Sequence, residues 1–179
     1  MIAPEFSRPW RLDQIGAGET SADLNATPEE CAALAKRFGL IAVDRLEARF
    51  KLRRDAAGIV AHGHLSATVT QACVVTEEPI PVTVEEDLAL RFLPEPDAPE
   101  DEVELGEEEM DTIFYTGGTI DLGEAAAETL ALSLDPFPRS AEAAKALREA
   151  GVLTEEEAGP FNAFAALKEQ LEKKKKENR

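Results

Sequence analysis

Three stretches of the chain alternate between apolar and polar residues. In Val43–Arg54, Leu46, Ala48, Phe50 and Leu52 alternate with Arg45, Glu47, Arg49, Lys51 and Arg53. In Ile59–Cys73, Ile59, Ala61, Leu65, Ala67 and Val69 alternate with His62, His64, Ser66, Thr68 and Thr70. A third run sets Ile80, Val82, Val84, Leu88, Leu90 and Phe92 against Thr83, Glu85, Asp87 and Arg91. A period of two is that of a strand with one buried and one wet face. The links are short, the turn-like Asp55-Ala56-Ala57-Gly58 and then Val74–Pro79, so the runs predict an antiparallel meander. Closing the first link as a four-residue loop places Arg54 opposite Ile59, Lys51 opposite His62 and Arg49 opposite His64.

Helical patterns flank these runs. Thr27-Pro28-Glu29-Glu30 carries a capping residue, a first-turn proline and the glutamate of a capping box. Cys31, Leu34, Ala35 and Phe38 then recur at helical spacing until Gly39. Residues 5–15 predict a short edge strand, which Pro9 keeps off a sheet centre, and residues 16–26 predict a loop. Thr112–Thr116 reads as a returning strand. A Gly117-Gly118 turn leads to Asp121, which stands at capping-box spacing before Glu124, so a helix is predicted from Asp121 to Leu132, with Pro136 and Pro138 beyond it. Ser140 and Gly151 bracket a further helix. Phe161–Glu177 predicts a last amphipathic helix with Phe161, Phe164, Ala165 and Leu171 on one side and Lys173–Lys176 at its end, where cations complement the dipole.

Charge divides the chain of 179 residues. Its net charge is −17, yet residues 1–80 hold 9 Lys/Arg and 11 Asp/Glu, whereas residues 81–165 hold 4 and 22. From Glu95 to Asp111, 10 of 17 residues are acidic and none is basic. With prolines at 94, 96 and 99, the segment 94–111 reads as a solvated acidic loop. Such acidity argues against a surface that is nucleic-acid footprint throughout. Cys31 and Cys73 are the only cysteines and form no CxxC pair. The N-terminus lacks the apolar core of a secretory signal, and no run is long enough for a membrane span. The expectation is a reduced, cytoplasmic protein with no membrane contact.

Few residues carry obvious chemistry. His62 and His64 share a strand face at a spacing that can begin a zinc site, but a tetrahedral site needs three or four ligands, and the neighbours are cationic or hydroxyl-bearing. Cys73 falls on the apolar parity of its run, which reads as a structural thiol rather than a nucleophile. The acidic run lacks the fixed geometry that a catalytic carboxylate pair needs, and no phosphate-binding or nucleophile-elbow motif is present. Arg45, Arg49, Lys51 and Arg53 would form a basic stripe able to meet successive phosphates. Exposed strands also carry such residues simply to keep their edges soluble. The stripe lacks aromatic residues for stacking single-stranded bases.

Three stretches, in this order, resemble the YceD-like large ribosomal RNA subunit accumulation proteins of bacteria and plastids. They are Thr68–Pro79 (TVTQACVVTEEP) around Cys73; Ile120-Asp121-Leu122 with Glu128, Leu130 and Pro136; and Phe161–Lys168 (FNAFAALK), containing Asn162 and Phe164. Two departures stand out: Cys73-Val74-Val75-Thr76 has one cysteine where many members have Cys-x-x-Cys, and Asn162-Ala163-Phe164 replaces Asn-Pro-Phe. The resemblance implies a role in accumulation of 23S ribosomal RNA, hence in large-subunit biogenesis, and no known catalytic activity.

The resulting expectation is an α+β fold, an antiparallel β-meander flanked by helices, with curvature toward a barrel left open. Residues 1–160 would form one domain with an acidic loop at 94–111, and residues 161–179 a C-terminal amphipathic helix with a basic tail. The expected role is a non-enzymatic biogenesis factor without cofactor or metal. It would bind precursor ribosomal RNA through Arg45, Arg49, Lys51, Arg53, Lys173 and Lys174, or hold a basic ribosomal protein, or both. The alternatives are an acidic protein-interaction module without RNA contact and, ranked last, an RNA-processing enzyme.

Overall fold

A computed structural model describes residues 4–96 and 111–152. Strand β1 (Pro9–Arg11) is followed by a 3-10 turn (Leu12–Gln14), β2 (Thr20–Asn25), helix α1 (Pro28–Phe38), β3 (Ala42–Arg54), β4 (Ile59–Ala72) and β5 (Pro79–Pro94). Then come β6 (Asp111–Tyr115), β7 (Thr119–Asp121), α2 (Leu122–Ser133) and α3 (Ala143–Glu149). The fold is α+β. The main sheet has the order β2-β3-β4-β5-β6, antiparallel throughout except for the parallel pair β5–β6. It is an open antiparallel meander extended by β6, not closed into a barrel.

The meander has the register that its alternation predicts: Arg54 faces Ile59, Lys51 faces His62 and Arg49 faces His64. One irregularity lies between Val43 and Arg45. The extra residue there lets Val43 and Leu46, three apart, both turn inward, while Asp44 and Arg45 both stay exposed. Two parts of the sheet depart from expectation. Residues 20–25 are not loop but the strand β2, which buries Ala22 and Leu24 and exposes Ser21, Asp23 and Asn25. The segment around Pro9 does not edge the main sheet; it pairs with β7 in a separate two-stranded ribbon.

Helix α1 begins with a complete capping box: Thr27 Oγ1 accepts from Glu30 N at 3.3 Å, and Glu30 Oε2 accepts from Thr27 N at 2.8 Å. Gly39 ends it at φ 65°, a conformation that glycine adopts without a Cβ penalty. Its apolar side, Cys31, Leu34 and Ala35, lies over β3. Helix α2 buries Leu122, Ala125, Ala126, Ala127 and Leu130 against β4, β5 and β1. One apolar cluster therefore fills the space between the helices and the inner sheet face. Ser140 does not cap α3. The helix starts three residues later, and the Ser140 hydroxyl donates to Glu78 Oε2 at 2.8 Å. Most of the acidic stretch and the whole C-terminal segment, with Asn162, Phe164, Lys173 and Lys174, lie outside the described residues.

Candidate functional site

The outer face of the sheet collects the charged residues of the alternating strands. Antiparallel partners point the same way, so β2, β3, β4 and β5 contribute rows across it. One row is Asp23–Arg49–His64–Asp87, the next Asn25–Glu47–Ser66–Glu85, and on the other side Ser21–Lys51–His62–Ala89. The four cations of β3 thus share one exposed face, as their parity predicts, but they do not stand alone there. Arg49 Nε lies 3.5 Å from Asp23, Lys51 Nζ 3.1 Å from Glu19, and Arg45 3.1 Å from Glu47 with a further bond of 2.8 Å to Ser66 Oγ. Arg53 is near Asp55, whose carboxyl is held below its ordinary range first by the Gly58 and Ala57 amides and then by Arg91 and Arg53.

These pairs are solvent-exposed, so each adds at most ~1 kcal/mol to stability. Their effect is on the field. Acids interleaved with bases at contact distance cancel one another beyond a Debye length of about 8 Å at physiological salt. The stripe is therefore a checkered face rather than a basic patch. Glu47, the partner of Arg45, belongs to the β3 pattern itself, but Glu19 and Asp23, before and in β2, and the acids of β5 do not.

His64 sits at the centre of the checker. Its Nδ1 lies 2.9 Å from Asp87 Oδ1 and its Nε2 2.9 Å from Glu85 Oε2. Asp87 first and Glu85 second raise its pKa. With carboxylates on both ring nitrogens, the doubly protonated ring satisfies both contacts. Glu85 Oε1 also accepts from Ser66 Oγ at 2.7 Å, and Ser66 in turn accepts from Arg45, so β3, β4 and β5 share one polar chain. Among the described residues no group of three or more His, Cys, Asp or Glu is arranged to hold a metal.

Of the family-signature residues within the described part, Asp121 and Leu122 build structure at a second place, the start of α2. Asp121 is the N-cap of α2: Oδ1 accepts from Gly123 N at 3.0 Å and Glu124 N at 3.1 Å. The same carboxylate reaches across to the N-terminal segment, accepting from Arg8 N at 2.7 Å and Ser7 Oγ at 2.5 Å. The predicted capping box is only half present, because Glu124 turns away to pair with Arg37 at 2.6 Å. Arg37 also meets Glu5, and Arg8 binds both oxygens of Glu30, so ion pairs lace α1, α2 and the first residues together. Leu122 is fully buried, whereas Glu128 and Pro136 are exposed.

Cys73 lies just past the end of β4, 1% exposed, in a turn where Glu77 takes φ 59°. It is buried, as its parity predicts, yet it is not an ordinary core thiol. Burial pushes its pKa up, but the amides of Ser140, Val75 and Thr76 and the Thr76 hydroxyl outweigh this and lower it to about 6. Ser140 N donates to Sγ at 3.3 Å. Thr76, three residues on, thus serves this thiol with its hydroxyl.

The described residues also enclose a cleft of about 690 Å³ at the β3–β4 turn, among Arg11, Arg54, Asp55, Tyr115 and Gly118. Arg11 is ion-paired there with Asp13, Asp55 with Arg91 outside the cleft, and Arg54 donates to the Leu12 carbonyl.

Comparison with protein families decides which of these features to weigh. The family model of the large ribosomal RNA subunit accumulation protein YceD matches residues 61–171, more than half of the chain. The chain belongs to the YceD family. No curated protein and no solved structure gave a match. The YceD match begins inside β4 and takes in β5 through α3, so it includes Cys73, Asp121, Leu122, Glu128 and Pro136 but not β3 and its cations. The family name assigns a role in accumulation of large-subunit ribosomal RNA. No helix among the described residues is long and apolar enough to cross a membrane.

Proposed function

We propose that the chain acts without catalysis in the cytoplasm, as a large-subunit assembly factor whose direct contact is with a basic protein of the assembling particle. Stabilising that protein, or delivering it, would let 23S ribosomal RNA accumulate. The observation that carries this reading is the pairing of Arg45, Arg49 and Lys51 with Glu47, Asp23 and Glu19 on the outer sheet face. A phosphate backbone would have to displace those carboxylates one by one, while the chain as a whole repels it with a net charge of −17. A basic protein meets the opposite situation. The residues from 81 to 165 present 22 acids against 4 bases, and long-range attraction of that sign speeds encounter and rejects polyanions.

The test uses the full chain immobilised and offered two pools, proteins stripped from large subunits and fragments of 23S ribosomal RNA, across a salt series. The reading expects capture of one or more basic large-subunit proteins, released as salt rises, and no change on Arg49→Glu. Retention of RNA fragments with a steep salt dependence, weakened by Arg49→Glu, would move the contact to ribosomal RNA.

A further inference from the structure

At the end of the molecule where α1 and α2 both stop, an apolar groove of about 340 Å³ opens to solvent. Phe38, Leu40, Val74, Leu134, Pro136 and Pro138 are among the residues that line it. The segment from Ala131 to Pro138, which supplies several of them, also displays two large apolar side chains to water. Leu132 is 84% exposed and Phe137 69%, with Val74 at 52%. Isolated exposed apolar residues are ordinary, but Val74 lines this groove and Leu132 and Phe137 are chain neighbours of its lining residues Ala131, Pro136 and Pro138, a grouping that marks an interaction site.

The groove has an electrostatic sign. Helix α1 ends at Gly39 and α2 at Leu134, so two helix C-termini meet at its walls. Each contributes a partial negative charge. Asp135 is the only charged residue among those lining it. No basic residue lies in the last turn of α2, and of the two in the last turn of α1, Arg37 is spent on Glu5 and Glu124. Exposed Glu128 lies one turn before Leu132 on α2, and exposed Glu77 follows Val74. Lys36 and Arg139, both exposed, are the nearby opposing charges. An apolar trough between two negative helix ends suits an occupant with apolar side chains on one face and cations beside them.

We propose that this groove docks a basic amphipathic segment of a protein partner, its apolar side chains against Phe38, Val74 and Leu134 and over Leu132 and Phe137 beside the groove, and its Lys or Arg residues toward Asp135 and the two helix ends. This rests on the reading that the partner is a basic protein, and adds where on the fold it is held. The mode is that of an amphipathic helix in a groove, in which anchors one turn apart set affinity and flanking charge sets orientation. The signature residue Pro136 is thereby a lining residue of the docking groove.

The experiment uses the full chain and a labelled Leu/Lys peptide with its leucines at helical spacing. Its controls are a peptide of the same composition with the leucines scattered and one with Glu in place of Lys, all read by fluorescence anisotropy. Binding of the Leu/Lys peptide alone is expected, weakened about tenfold or more by Phe137→Glu or by Leu132→Glu, the scale of losing one apolar anchor. Both side chains are exposed, so the fold survives either change; unaltered circular dichroism and melting check this. Glu19→Gln, on the sheet face, should leave binding unchanged. Equal binding of the two Leu/Lys arrangements, or undiminished binding by both groove variants, would overturn the proposal. So would a zero-length carbodiimide link from Lys168 or Lys173 to Asp135 or Glu128, since that would give the groove to this chain's own C-terminal segment within one molecule, or to a second copy between molecules. The peptide arm reads the groove alone, whereas capture of large-subunit proteins reads the assembly role, so the two can fail separately.

Discussion

Replacing Asp121 with alanine should loosen the whole helical side of the fold. One carboxylate there accepts four hydrogen bonds, from Gly123 N, Glu124 N, Arg8 N and Ser7 Oγ. Loss of the N-cap costs ~1 kcal/mol. The bonds from Arg8 and Ser7 go to a charged acceptor, worth about 1.5–3 kcal/mol each where buried and toward the low end at this partly buried seam. The sum is about 4 kcal/mol, a large share of the roughly 5–15 kcal/mol that holds a typical domain together. Asp121→Asn retains a carbonyl oxygen for the three amides but loses the charge, and should cost about 1–1.5 kcal/mol. Urea unfolding followed through Trp10 measures both, because this only tryptophan lies in β1 opposite Ile120, next to the altered residue. With a slope of about 2 kcal/mol per molar urea, the alanine midpoint should fall by roughly 2 M. A fall under about 0.5 M at that slope, or equal losses for Asn and Ala, would refute the account of Asp121 as the clasp between α2 and the N-terminal segment.

Three further outcomes follow from the geometry. Gly123→Ala should lower the melting temperature sharply, because a Cβ there would stand 2.1 Å from the Phe6 carbonyl oxygen, and backbone must shift to admit it; an unchanged melting temperature would contradict that close approach. The His64 ring should titrate above the ordinary histidine value in an NMR pH series and fall back when Asp87→Asn and Glu85→Gln are combined. Its folded pKa is raised, so its contribution to stability is complete below the unfolded value of about 6.5 and is lost as pH rises through the folded one. Cys73 should show thiolate absorbance at neutral pH yet react slowly with a bulky disulfide reagent until the protein unfolds, since its pKa is lowered to about 6 while the residue is 1% exposed. Because this is a depressed pKa, the stability it confers is present at high pH and declines as pH falls through about 6; rapid labelling of the folded protein would show that the turn opens.

The main sheet was legible because its strands are long, alternate cleanly and are joined by short links. That much fixes β3 against β4 residue by residue, and with it the shared face of Arg45, Arg49, Lys51 and Arg53. The strand β2 was not legible: in Thr20–Asn25 only Ala22 and Leu24 point inward, and four polar residues in six resemble a loop. Missing β2 concealed Asp23, and with it the charge that faces Arg49. The acids on β5 were visible in sequence, but their meeting with His64 depends on a second register that the Val74–Pro79 link leaves open. Cys73 shows the same limit. Its burial follows from parity, whereas its pKa depends on Ser140, 67 residues away in the chain. The groove was hidden for a related reason, since its walls come from the ends of two helices and one strand, and an exposed Leu132 and Phe137 read in sequence as part of an apolar face and a proline-bounded stop.

The parallel pairing of β5 with β6 limits how the acidic stretch can be edited. Leu90 lies opposite Asp111 and Pro94 opposite Tyr115, and Glu95 N donates to the Tyr115 carbonyl at 3.0 Å. The chain leaves the sheet at one end of this pair and must rejoin it at the other, a return of about 13 Å at some 3.3 Å per residue. A tight turn cannot make that return. Shortening between these anchors therefore has a floor below which β6 must detach. Lengthening meets only the slow logarithmic penalty of loop closure. The segment is thus a place that lineages or engineers can lengthen while the strand frame stays as it is.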